Sequence, residues 1–262
     1  MKRYLRLLAI QLRISVASAM AYRANFVLEG AMTLMWTALT LLPLIVLFDG
    51  RESVAGWDAP SALVVIAYFL AIRAVLEGII SPSLIGLVEK IRSGSFDYVL
   101  LKPVDAQAMV TASQFEPWKI FDLLGAIALA VYAFARRGEP PTAGGVALGL
   151  VLFFAGLIAM YSLWLVCAAA SFWVGRLDNL MYLLGAVLDT GRWPVQVFRG
   201  AWRYVFTFVI PVALMTTFPA MALLGRIDTP TAVGTIVGSI AMLGASRMIW
   251  VAAIRNYTSA SS

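Results

Sequence analysis

Residues 87–106 read LVEKIRSGSFDYVLLKPVDA, a charged and glycine-broken stretch that stops at Lys102-Pro103 and lies between long apolar runs. Those runs decide the fold. The 262-residue chain is 61% hydrophobic and only 13% charged, whereas a soluble domain carries about 25% charged residues. Residues 30–48, 140–175 and 204–225 hold no charged side chain at all. About 20 apolar residues at 1.5 Å rise cross the hydrocarbon core, so each run is long enough for a span. The composition predicts an all-α membrane protein forming one transmembrane domain over residues 1–262.

Six spans follow from the pattern. They cover about 24–48, 59–81 and 117–135, one stretch within 143–174, a fifth in the region 176–226, and a last over 231–252. The fourth run is longer than one crossing, which implies tilt or a projecting end. Ahead of the first span, residues 1–23 place Leu5, Leu8, Leu12 and Val16 at helical spacing, with Lys2, Arg3, Arg6 and Arg13 largely on other faces. That pattern predicts an amphipathic helix lying in the membrane interface. Gln11 and Arg13 interrupt it too early for a signal peptide, so it is expected to be retained.

Charge orients the chain. Basic residues of membrane proteins favour the cytoplasmic side, which accounts for the net charge of +6 without invoking nucleic acid. Lys2, Arg3, Arg6, Arg13 and Arg23 precede the first span, while Lys90, Arg92, Lys102 and Lys119 follow the second. Both clusters fall on one side, as do Arg247 and Arg255. Cytoplasmic termini are therefore expected, with the segment 82–118 cytoplasmic as well. Arg136 and Arg137, in an external turn, run against this bias.

The region from Arg176 to Arg226 admits two readings. In one, a fifth span ends near Arg192 and external helices then dip back into the membrane. In the other, 176–203 is cytoplasmic and 204–225 is the span. The residues RWPVQVFRGAWRY mix Arg192, Arg199 and Arg203 with Trp193, Trp202 and Tyr204, an interfacial composition. Pro211 and Pro219 break the apolar run that follows.

Within the opening stretch, the sequence predicts a short amphipathic helix from Ser83, started after Ser81-Pro82 and ended at Ser93-Gly94. Leu84, Leu87, Val88 and Ile91 form its apolar stripe, and Glu89, Lys90 and Arg92 lie away from it. Gly94 permits a left-handed cap, after which Phe96, Asp97 and Tyr98 begin a second amphipathic element. A solvated loop is the competing reading.

The elbow, the six spans, IRSGSFDYVLLKPV after the second span and the later RWPVQVF, FVIPVAL and FPAMALLG resemble the ABC-2 type permeases, the membrane subunits of ABC exporters. The resemblance covers nearly the whole chain. It implies a coupling helix over about residues 84–98, seated in a cleft of a separate ATPase subunit. Leu84, Leu87, Glu89, Lys90, Arg92, Gly94, Phe96, Asp97 and Tyr98 are the matching positions. It also implies re-entrant external helices over about 193–224, which favours the first reading of the fifth span. The implied partners are ABC ATPase subunits, a second copy of this chain or a related permease, and the bilayer of the bacterial cytoplasmic membrane. The cargo is expected to be amphiphilic or hydrophobic: a drug, peptide, lipid or glycan. ATP and Mg would sit on the ATPase, since this chain has no G-x-x-x-x-G-K-[ST] phosphate loop.

Charges within spans suggest function by default. Arg73 and Glu77, four apart on the second span, are expected to pair. With Asp122 they are candidates for a substrate path, and a structural ion pair near the inner interface is the alternative. Glu29 and Glu116 lie near predicted span ends. If one of these acids lined a cavity, a cationic amphiphile would be a natural cargo. Gly145-x-x-x-Gly149 and Gly234-x-x-x-Gly238 offer close-packing faces. Cys167, the only cysteine, has no disulfide partner in the chain. A multispan lipid enzyme is the competing function, and against it stand the absence of histidine, of a G-x-S-x-G elbow and of H-E-x-x-H. An ion channel would need a filter-like loop or a charged ring, for which only 192–203 offers material.

Overall fold

The structure, a computed structural model of the chain, describes residues 2–21, 23–111, 113–174 and 178–257. Every regular element among them is helical. Helix α1 covers Lys2–Ala21 and α2 covers Arg23–Phe48. A tight turn closed by Val54 and Trp57 leads into α3, Ala59–Val75. A π-turn over Leu76–Ile80 joins α3 without a break to α4, Ser81–Arg92. Short helices α5, Asp97–Leu100, and α6, Ala106–Thr111, then lead to α7, Ile120–Arg137. Helix α8 is Ala143–Ala170, α9 is Asp178–Leu188, α10 is Ala201–Tyr204, α11 is Phe218–Leu223 and α12 is Thr229–Arg255.

Among the described residues, five helices are long and apolar enough to cross a membrane: Arg23–Phe48, Ala59–Arg92, Pro117–Arg137, Ala143–Ala170 and Thr229–Arg255. They match the predicted first, third, fourth and last spans to within a few residues, while the second starts as predicted at Ala59 and runs eleven residues past its expected end at 81. A sixth crossing exists only if Ala201–Val209 and Ala213–Leu223, which meet at 71°, are counted as one. Gly175 and Arg176, at the expected end of the fourth span, lie outside the described residues.

Two tight pairs build the bundle: α3 along α7, and α8 along α12. The bent segment fills the gap between them. Its second limb, Ala213–Leu223, rises only about 16 Å, about half the hydrocarbon thickness. It sinks onto α8 at the face carrying Gly145, Gly149 and Gly156. A Cβ at Gly156 would lie 2.6 Å from the Leu214 carbonyl oxygen, and one at Gly145 would lie 3.2 Å from those of Ala222 and Leu223. The limb thus starts about midway along α8 and ends beside its first turn. The Gly145/Gly149 face serves this contact within the chain, whereas added Cβ atoms at Gly234 and Gly238 would meet nothing.

The fifth crossing is split between different structures. Helix α9 and the 3-10 turn Asp189–Arg192 reach Phe69, halfway down α3, where a Cβ at Gly191 would contact Phe69, Val212 and Met215. From there the chain climbs to Gln196, whose side-chain oxygen accepts a hydrogen bond from the Trp57 indole at 3.3 Å. The bent limb and half-height helix suit either a broken span or helices that dip back into the membrane, and the helix ending near Arg192 is the short α9 with its 3-10 turn rather than one long crossing.

Helix α1 turns Gln11, Ser15 and Ala19 toward the bundle and leaves Ile10, Leu12, Ile14, Val16 and Met20 exposed. Its outer surface is therefore apolar, as a lipid-facing elbow requires. The side chains of Lys2, Arg3, Leu5, Arg6 and Leu8 lie outside the described residues.

Gly156→Ala should lower thermal stability in detergent by about 1–3 kcal/mol, the usual cost of forcing atoms into a packed site. Gly244→Ala, where nothing lies within 4 Å, should not. Equal melting temperatures for the two variants would show that the half-height helix does not rest on α8 at Gly156.

Candidate functional site

The second span does not end where the sequence suggested. Ser81-Pro82 starts no new helix, because Ile80 and Ser81 both have helical backbone angles and the ladder runs on through the π-turn. The predicted separate helix is the end of a continuous 34-residue rod, Ala59–Arg92. At 1.5 Å per residue the rod is about 51 Å long, so about 20 Å projects beyond a 30 Å hydrocarbon core.

A strap holds the junction. The Glu116 N–H donates to the Gly78 carbonyl at 2.8 Å, and Ser83 Oγ both donates to the Gln114 carbonyl at 3.1 Å and accepts from its N–H at 3.0 Å. Gly78 and Gly86 allow this approach. Added Cβ atoms there would meet Lys119 Cβ at 3.2 Å and Gln114 Nε2 at 2.8 Å.

The rod's far end is anchored by Phe96. Gly94 takes the left-handed conformation at φ 72°, its N–H bonds the Ile91 carbonyl, and the Phe96 N–H caps that of Lys90 at 3.0 Å. The reversal drives Phe96, fully buried, edge-on into Phe172, Trp250 and Tyr257 at ring separations of 5.4, 6.3 and 5.5 Å. Leu84 and Leu87 are also fully buried, with Val88 beside them. These candidate contacts therefore face the chain's own core, because the stripe meets α8 and α6 before any partner could reach it. Glu89, Arg92 and Tyr98 are exposed, while Lys90, Gly94 and Asp97 are half-buried. Glu89 and Arg92 pair at 2.9 Å on the outer face.

A second fastening ties this region to the last span. Arg247 on α12 donates to both carboxylate oxygens of Asp105, at 3.2 and 2.6 Å, and to Gln107 Oε1 at 2.6 Å. Gln107 in turn donates to the Tyr161 hydroxyl of α8 at 2.8 Å. The Arg247 hydrogen bonds hold the Asp105 carboxyl below its ordinary pKa, outweighing the effect of burial.

The intramembrane charges form one network. Arg73 Nε lies 2.6 Å from Glu77 Oε1, as expected, but Glu77 also holds Lys119. Lys119 reaches Asp122 at 3.4 Å, and Asp122 accepts from the Thr37 hydroxyl at 3.0 Å. Arg73 and Arg192 flank Asp189 at 3.6 and 3.4 Å, and both guanidinium groups stand over the Phe69 ring. Arg192, read from the sequence as interfacial, is thus drawn inward. Its partner Asp189 and the bridging Lys119 were invisible as a set because they come from separate elements.

A cavity of about 670 Å³ adjoins the network. Arg73 and Glu77 line it, whereas Asp122 lines a smaller one of about 350 Å³ shared with Arg73. Glu29 and Glu116 also line the larger cavity. Burial, with Glu77 and Glu29 nearby, pushes the Glu116 carboxyl up in spite of Lys119.

The family model described as "ABC-2 family transporter protein" matches residues 34–261. No curated protein matches the chain, and no solved structure does.

Phe96→Ala should cost about 3–5 kcal/mol, as for other buried aromatic truncations, read as a fall in melting temperature. Loss of no more than a surface substitution's effect would place Phe96 outside the core. Because the Asp105 pKa is depressed in the folded chain, its contribution is full above the unfolded value of about 3.9 and fades as pH falls through the lower folded value. Wild type and Asp105→Asn should differ in melting temperature above about pH 4 and converge in stronger acid. A pH-independent difference would show that the pair's charge contributes nothing.

Proposed function

The chain belongs to the ABC-2 transporter family, and from that premise we propose that it is the permease of an ATP-driven exporter whose ATP is hydrolysed by a separate ABC ATPase. As a member of that family it is an integral membrane transport subunit. The further reading sets it in the bacterial cytoplasmic membrane with both termini cytoplasmic, paired with a second copy of itself or a related permease. Its cargo is amphiphilic or hydrophobic and moves outward.

The continuous rod Ala59–Arg92 supports this reading best. A lever must transmit displacement, and an unbroken helix does so where a glycine-rich linker would absorb it. In the proposed mechanism the ATPase grips the exposed face around Glu89, Lys90 and Arg92, with Asp97 and Tyr98 beside it. Leu84, Leu87 and Phe96 act from inside, positioning that face. The strap at 114–119 and the Arg247 latch then pass movement of the tip to α7, α8 and α12. Arg73, Glu77 and Asp122 border the path along which cargo moves.

Replacing Glu89 and Arg92 together by alanine should leave folding intact, because both are exposed. It should reduce ATPase co-purification and cargo-stimulated hydrolysis by about tenfold or more, the scale of a lost charge-assisted contact. Unchanged hydrolysis and co-purification in that variant would overturn the assignment of the tip.

A further inference from the structure

Of the four carboxylates that line the larger cavity, Glu29 and Glu116 differ from Glu77 and Asp189. Glu77, Asp122 and Asp189 are each matched by a cation: Arg73, Lys119 or Arg192. Glu29 on α2 and Glu116 ahead of α7 form no salt bridge with any described residue, and both are half-buried. An unpaired carboxylate withdrawn from water is costly unless a charge or hydrogen bond compensates it. Two of them facing one cavity give it a surplus of negative charge that the neutral network does not cancel.

The cations Arg73 and Lys119, matched within the network, also line the cavity, and the rest of its wall is largely apolar and aromatic. Met32 and Trp36 come from α2, Ile85 from α4, and Trp118 from the strap. A volume of about 670 Å³ is in the range of small-molecule sites, and Trp faces attract organic cations. We propose that this cavity binds a lipophilic organic cation, its positive group between Glu29 and Glu116 and its apolar body against Trp36 and Trp118. The proposal deepens the exporter reading by naming the cargo class, and it rests on that reading only for the step from binding to transport.

The test uses the purified full-length chain in detergent, without ATPase or nucleotide, and equilibrium dialysis with tetraphenylphosphonium. Saturable binding is expected, with triphenylphosphine oxide, a neutral relative, binding about tenfold more weakly. Glu29→Gln with Glu116→Gln should weaken tetraphenylphosphonium binding by about tenfold or more, while Glu52→Gln in the exposed loop after α2 should leave it unchanged. Glutamine keeps side-chain size and breaks no ion pair here, and a single symmetric peak on gel filtration verifies that the double variant is folded. No saturable binding by the wild type, equal affinity for the neutral compound, or full binding by the folded double variant overturns the proposal. Since no ATPase is present, such a result leaves the coupling assignment standing. Retained tetraphenylphosphonium binding together with unchanged hydrolysis and ATPase co-purification in the Glu89/Arg92 variant strikes at the coupling assignment alone.

Discussion

Everything distinctive in this molecule depends on one continuous helix, from Ala59 through the π-turn at Leu76–Ile80 to Arg92, which runs on past Pro82 although that residue has no N–H to donate. A helix resists bending because each displaced residue strains bonds in the turns on both sides of it. The π-turn changes the register of the helix without ending it, and such turns gather at functional positions. Here the turn carries Glu77 and Gly78, where the strap attaches. The projecting end is thereby held at its base by the strap and at its tip by Phe96. Between these points its apolar stripe is packed into the bundle, and only the outer face remains for a partner.

The same economy governs charge. Ionised groups in an apolar bundle persist when they are matched and hydrogen-bonded. The cluster from Asp122 through Lys119, Glu77 and Arg73 to Asp189 and Arg192 meets that condition while joining α7, α3 and the turn after α9. It fastens the turn after α9 to the second span at Arg73 and Glu77. Glu29 and Glu116 stand apart from this balance, which makes the cavity beside them chemically different from a gap between helices.

Much of the architecture was legible in the chain. Long apolar runs located five long helices, since hydrocarbon thickness sets their length whatever their neighbours are. Ser93-Gly94 was readable as a helix end because the left-handed angle at Gly94 is intrinsic to glycine. The Arg73 and Glu77 pair was readable because four residues make one helical turn. Other features left no local mark. Pro82 looked like a start because proline suits a first turn; it equally suits a helix already under way where the carbonyl four residues back is freed by a π-turn. Phe96 looked like a contact residue because nothing near it in sequence announces Phe172, Trp250 or Tyr257.

The sequence by itself determined that the chain is helical and membrane-embedded, where its long crossings fall, and which family it belongs to. The first two follow from composition and periodicity, which act over one or two turns, and the family from the motifs that carry the resemblance, IRSGSFDYVLLKPV, RWPVQVF, FVIPVAL and FPAMALLG. Only the tertiary structure decided that residues 83–92 are the end of the second span, that Leu84, Leu87 and Phe96 face inward, and that α9 is followed by 3-10 turns and a bent limb rather than by one long helix. It alone decided which charges are matched and which are not. Pairing is a matter of distances between elements far apart in the chain, as Lys119 and Glu77 or Arg247 and Asp105 show, and no local pattern encodes them.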